Sequence, residues 1–199
     1  MDSVAWTQMK DGSRDDYQML GSLYDEHARS ELVENLLNLL SVLKGPKLGY
    51  QIDRYEHSLQ SASRAMRADE SVDLIVAALL HDIGDSIAPA NHSALAASLL
   101  RPYVDDEIHW VVQHHGLFQG YYYFHHFDGD PNARDVHQEH EHFEACVRFC
   151  HEYDQNCFDP DYPNIEIAEF VPLIHDVFSR PSRVPGVAPI GMTSDVHVN

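Results

Sequence analysis

The stretch Leu79-Leu80-His81-Asp82-Ile83-Gly84-Asp85 constrains this chain more than any other. The run before it, Asp73-Leu74-Ile75-Val76-Ala77-Ala78-Leu79-Leu80, is dominated by Ala and Leu and suits a buried helix better than a strand. It ends in an imidazole and a carboxylate side by side, followed by a glycine. Burying such a pair without a partner is costly. A divalent metal removes the cost, because it accepts the imidazole lone pair and neutralises the carboxylate. Taken alone, the dipeptide fits a solvated helix end equally well, so the rest of the chain has to decide.

Elsewhere the spacing of apolar residues predicts helices and no strand hairpin. A first helix is expected over about 13–44, where Leu32, Leu36, Leu37, Leu39, Leu40 and Leu43 form a stripe that Gly45-Pro46 ends. Others are expected at 54–67, 71–82, 92–100 (with Asn91 as cap and Pro102 as stop), 105–115, 138–153 and 165–178. Residues 116–135 read as a long aromatic loop, a length that in compact domains usually marks function. The expectation is one all-α domain over 1–199, with 1–13 and 181–199 flexible or peripheral.

Several function classes drop out on charge. Thirty-two acidic against 13 basic residues give −19, which disfavours nucleic acid and anionic membrane as partners. No apolar run reaches the length of a membrane span, and Met1-Asp2-Ser3-Val4 does not open a signal peptide. Cys146, Cys150 and Cys157 have neither disulfide-framework nor zinc-site spacing, so they read as small buried hydrophobes in a reducing cytoplasm. The anomaly is 15 histidines. Around His81 and Asp82, the candidate ligands are His57 and His92, His114 in preference to its neighbour His115, and Asp154 in preference to Asp159 and Asp161. The last two are explained by their Asp-Pro-Asp turn. Imidazole and carboxylate without thiolate suit iron or manganese better than structural zinc.

A His on one helix, a His-Asp pair on the next and a distant Asp resemble the order of the HD-domain superfamily, over about residues 50–160. The resemblance implies an HD-domain helical bundle that brings these residues together. The segments Tyr55-Glu56-His57-Ser58-Leu59-Gln60, Leu80-His81-Asp82-Ile83-Gly84, Asn91-His92-Ser93-Ala94-Leu95-Ala96-Ala97, Val112-Gln113-His114 and Tyr153-Asp154 are similar to its mixed-valent diiron oxygenases. These include myo-inositol oxygenase and bacterial enzymes that cleave the carbon–phosphorus bond of 1-hydroxy-2-aminoethylphosphonate or its trimethylammonio analogue. Chain length and the short spacing from Asp82 to His92 are closer to the bacterial enzymes.

By that resemblance, two iron ions, Fe(II) and Fe(III), share Asp82, and O2 is the co-substrate. His57, His81 and Asp154 hold the ferric ion that the substrate chelates, and His92 and His114 hold the ferrous ion. Tyr50 stands where a relative carries a gating Glu. Relatives acting on the aminoethyl compound place cationic residues where this chain has Asp85, Phe118 and His151. With Phe118 and Tyr121 in an aromatic segment and Asp85 as a carboxylate, the expected substrate is the trimethylammonio phosphonate, cleaved to glycine betaine and phosphate. His115, His151, Arg54 and Arg148 remain open as the anion-binding group. The rival expectations are a one-metal phosphohydrolase, an oxygenase of a polyol, and a catalytically silent HD scaffold.

Overall fold

The computed structural model describes residues 3–184, apart from the side chains of Ala28 and Arg29. Seven α-helices follow one another: α1 Arg14–Ser41, α2 Arg54–Arg67, α3 Val72–Leu80, α4 His92–Leu100, α5 Asp106–Tyr123, α6 Phe143–Phe149 and α7 Ile167–Phe178. No strand occurs among the described residues, and none of the described helices is long and apolar enough to cross a membrane. The expected 181–199 segment falls mostly outside the described residues.

Local chemistry sets the helix starts. Ser13 and Asp53 each accept from the third backbone N–H of the helix they begin, while Asp16 and Glu56 reach back to the cap. Ser71 and Asp105 cap α3 and α5 with a side-chain oxygen. Between α2 and α3 the chain reverses through Asp69, whose φ of 55° is left-handed.

α3 is the centre of the fold. Leu74 through Leu80 are all buried, and α2, α5 and α7 pack around them. The second half of α1 joins this core through Val33, Leu36 and Leu40, whereas its first half contributes no residue to it. A helix surrounded in this way ends inside the protein, so His81 and Asp82 lie at its buried end.

α2 shows a different logic. Beside the core residues Leu59, Ala62 and Ala65 it buries a polar strip, which grips the irregular chain 155–166 through the backbone. The Gln60 amide exchanges two hydrogen bonds with the backbone of Asp159. Arg64 donates to the Asn156 carbonyl, Arg67 to that of Pro163, and the Ile165 N–H donates to Ser63. Backbone groups lacking a helical partner are thereby satisfied by side chains spaced three, four and seven apart.

Two expectations are corrected. The fifth helix does not end at Gly116, and 116–135 is not one loop, because α5 continues to Tyr123. Gly116 marks a close approach rather than a stop: a Cβ there would come 2.9 Å from Ser93 Oγ on α4. The sixth helix begins at Phe143 rather than 138, and from Cys150 to Asp154 it widens into a π turn in which Gln155 N–H reaches the Cys150 carbonyl at 3.0 Å. Such turns insert an extra residue per turn and recur at functional sites.

Candidate metal centre

Five elements converge on one point. α2 supplies His57, the turn after α3 supplies His81 and Asp82, and α4 begins with His92. The middle of α5 supplies His115, and the π turn ends at Asp154. Each imidazole is fixed by its Nδ1. That of His57 donates to the Cys157 carbonyl at 3.0 Å, that of His81 to Ala78 at 2.8 Å, and that of His115 to Val112 at 2.7 Å. A longer contact of 3.4 Å joins His92 Nδ1 to the Pro89 carbonyl. A carbonyl can only accept, so Nδ1 carries the proton and Nε2 presents a lone pair.

Those lone pairs face other lone pairs. The Nε2 atoms of His57 and His81 are 3.2 Å apart. Asp154 Oδ1 lies 3.3 Å from the first and 3.7 Å from the second, and Asp82 Oδ2 lies 3.6 Å from each. On the other side, Asp82 Oδ1 faces His115 Nε2 at 3.2 Å and His92 Nε2 at 3.4 Å. His57, His81, Asp82, His115 and Asp154 are all buried. Only a cation, either protons or metal, makes this arrangement tolerable.

A metal fits the residues present. Asp154 Oδ2 is buried without a protein hydrogen-bond partner, which a metal would satisfy. The ligand atoms of His57, His81 and Asp154 lie within 4.8 Å of one another, and so do those of His81, Asp82 and His115. His92 stands outside both groups of three, with 23% of its side chain exposed. All three cysteines are buried and free, and burial pushes the Cys157 thiol up to about 12, so it contributes a carbonyl rather than a thiolate.

Protonation follows from the same geometry. Burial alone would push the His57 and His81 imidazoles down, but the carboxylates of Asp154 and Asp82 outweigh it and hold both above their ordinary value. Burial would likewise push the Asp82 and Asp154 carboxyls up, yet the surrounding imidazoles hold both below the carboxylate range. For the metal-free chain, the raised imidazoles stabilise the fold fully below about pH 6.5, and that contribution is lost as pH rises through their raised values. The depressed carboxylates contribute above about pH 4 and fail only in stronger acid. Metal replaces the protons on His57 and His81, so the rise in Tm on adding metal grows as pH rises from about 6.5 through their raised values. Thermal melts of chelator-treated and Mn(II)-loaded protein across that range test this. A metal-induced increment that stays flat or shrinks with pH contradicts it.

Other expected site residues are distributed differently. His114 is not in the cluster: its Nδ1 donates to the Trp110 carbonyl at 2.9 Å and its ring stacks on Trp110. Adjacent residues on a helix point about 100° apart, and it is His115 that faces Asp82. Phe118 is also corrected, since it is fully buried against Trp110 and Phe143. One turn beyond His115 stands Gln119, which does line the cavity. Tyr121 packs under the Arg134 guanidinium and His151 is largely exposed beside the Tyr122 hydroxyl, and neither lines the cavity. Tyr50 and Asp85 do line it.

This cavity, of about 630 Å³, opens onto Asp82, Asp154, His92 and His115. Tyr50, Phe158, Tyr122 and Tyr123 make its aromatic walls, and Ser93, Gln113 and Gln119 add neutral hydrogen-bonding groups. Sequence reasoning passed over His115 as a ligand in favour of His114, whereas Gln119, Tyr122 and Tyr123 lie in the segment 118–124 that it expected to face the substrate cation. Periodicity held the signal for the first: Ile108, Val111 and Val112 are the buried face of α5, and the next position on that face is 115.

Residues 54–142 match the family described as HD domain. That span contains His57, His81, Asp82, His92 and His115, while Asp154 lies beyond it. No curated protein matches the chain.

Proposed function

We propose that this HD domain, with its His/Asp cluster, is a diiron oxygenase that cleaves the carbon–phosphorus bond of a 1-hydroxyphosphonate. The substrate that suits it best carries a quaternary ammonium, which would yield glycine betaine and phosphate. One observation supports the diiron reading above the rest: the two oxygens of Asp82 face different imidazole sets, His57 with His81 and His115 with His92. That is the disposition of a bridging carboxylate.

When bound, an iron pair supplies the one-electron and O2 chemistry that no side chain offers. The protein residues do the rest. The Nδ1–H bonds of His57, His81 and His115 to backbone carbonyls lock their tautomers and hold Nε2 toward the centre. Asp82 and Asp154 supply negative charge that offsets the cations. The Tyr122 and Tyr123 side of the aromatic wall offers ring faces to a quaternary ammonium.

The test is anaerobic loading with Fe(II), partial oxidation, and a screen of 1-hydroxyphosphonates and polyols for substrate-dependent O2 uptake. About two irons per chain, a paramagnetic mixed-valent signal and uptake with the trimethylammonio phosphonate are expected. A second reading, a one-metal phosphohydrolase, is favoured by the position of His92 outside the three-residue groups. One ion per chain with phosphatase turnover and no O2 uptake would replace the first reading with it.

A further inference from the structure

Charge in the cavity is unevenly placed. Among the described residues lining it, Arg54 is the only Lys or Arg. Of the other groups able to bind an anion, Arg148 is committed to Glu70 and does not line the cavity. His151 is largely exposed, and His115 Nε2 already faces Asp82. The choice that the sequence leaves open therefore narrows to one guanidinium.

Arg54 is the first residue of α2, directly after the Asp53 cap, and its head is held on one edge and one face. Its Nε lies 3.1 Å from Asp85 Oδ2. Its guanidinium carbon sits 5.0 Å from the Tyr50 ring centre and 5.8 Å from that of Phe158. Its Nη1 lies 3.8 Å from Asp82 Oδ2, the oxygen that faces His57 and His81. At that length Nη1 is not hydrogen-bonded to Asp82, and no described hydrogen bond uses either terminal nitrogen. A planar fork with free N–H groups beside the His57–His81–Asp154 half matches two oxygens of a tetrahedral oxyanion.

We infer that Arg54 grips the anionic end of the substrate, with Asp85, Tyr50 and Phe158 holding the guanidinium in place; this rests on the proposed function for the identification of that oxyanion as a phosphonate. The same geometry orients the rest of the molecule. Phe158 stacks on the rings of both Tyr50 and His57, and Arg54 lies over Tyr50, so those faces are not available to a substrate cation. A quaternary ammonium takes the Tyr122 and Tyr123 wall instead, with like charges kept apart. Asp85 thus acts as the holder of Arg54 rather than as the ammonium's partner.

Calorimetric titration of methylphosphonate, and of acetate for comparison, into the full chain loaded with Mn(II) tests the inference without any turnover. Arg54→Gln weakens methylphosphonate binding by about 10- to 100-fold, the scale of a charge-assisted hydrogen-bonded pair, while metal content stays unchanged. Arg54→Lys recovers part of the loss, because it keeps the charge but not the fork, and it serves alone if the Gln variant does not fold. Equal affinity of wild type and the variants overturns the inference, as does a metal-loaded wild type that fails to bind methylphosphonate. Arg54-dependent binding, together with no O2 uptake by the iron-loaded chain, sinks the oxygenase reading and leaves the role of Arg54 standing. In an active enzyme, Arg54→Gln raises KM for the phosphonate far more than it lowers kcat, and an unchanged KM counts against it.

Discussion

Asp82→Asn is expected to empty the whole centre, not half of it. Both oxygens of this carboxylate are engaged, Oδ2 toward His57 and His81 and Oδ1 toward His115 and His92. An amide keeps the shape but loses the negative charge and one of the two oxygens. It also leaves four imidazoles around a neutral group, so two bound cations would repel each other without a shared anion between them. Changing groups that merely orient metal ligands costs about 10- to 100-fold in affinity or activity. If two ions share this ligand as proposed, its loss should cost on the order of 10³-fold or more in turnover, with metal content falling from about two ions per chain toward none. His92→Ala is the control, because it removes a ligand from one side only and leaves the His57–His81–Asp154 group untouched. Metal analysis of both variants after identical loading decides. If Asp82→Asn retains two ions, the carboxylate is not a bridge.

The contrast between those variants depends on what holds the first group so firmly. His57 hydrogen-bonds the carbonyl of Cys157, three residues beyond Asp154. Tyr153, next to Asp154, donates to Glu70 at 2.5 Å, and Glu70 stands in the loop between the helices that present His57 and His81. The π turn that presents Asp154 is therefore tied to both other members of its group. Burial and the Glu70 carboxylate push the Tyr153 phenol up to about 12, so this tie persists across the physiological range. By contrast, His92 is held by a 3.4 Å contact to the Pro89 carbonyl and a 3.2 Å contact to the Ser93 hydroxyl, and it opens α4 at the cavity edge. The half toward His92 is the looser and more accessible one.

Helices with strong local signals were legible from residue types alone. The α2 boundaries follow from Asp53 and its partner Glu56, and α3 from an apolar run that no surface helix would carry. The bringing together of His57, His81, Asp82 and Asp154 was expected from the resemblance of their order to that of the HD-domain superfamily, rather than from any local pattern. What escaped was set by contacts between distant segments. Gly116 looks like a helix terminator until Ser93 is seen against it, and only then does α5 run on to place Gln119, Tyr122 and Tyr123 at the cavity. The π turn at Cys150–Asp154 leaves no mark that a period of 3.6 residues would register. Gln60 and Arg64 resemble solvent-facing residues of an amphipathic helix, yet their partners are backbone groups some 90 or more positions away.

The histidine pair in α5 gives the sharpest expected contrast in the chain, because neighbours in sequence have unlike surroundings. His115→Ala removes an imidazole that is 2% exposed and faces Asp82 Oδ1 at 3.2 Å. It should cost one bound ion per chain and reduce turnover on the order of 10³-fold, as for other groups that hold a metal directly. His114→Ala removes a ring that stacks on Trp110 at 4.2 Å and lies against His137. A stacked aromatic pair is worth about 1 kcal/mol, or ~2–4 °C in Tm for a domain of this size, and nothing in that environment reaches the centre. Metal content and turnover should therefore stay within about twofold of wild type, the small change expected of a substitution away from the reacting groups. Burial pushes the His114 imidazole down from its ordinary value, so it is largely neutral near pH 7 and its loss removes little charge from the surface. Measuring metal content, Tm and O2 uptake on both variants separates the two roles. An inactive, metal-depleted His114→Ala beside a functional His115→Ala would mean that α5 is rotated by one position from the register described, and Asp82 Oδ1 would then face His114 in place of His115.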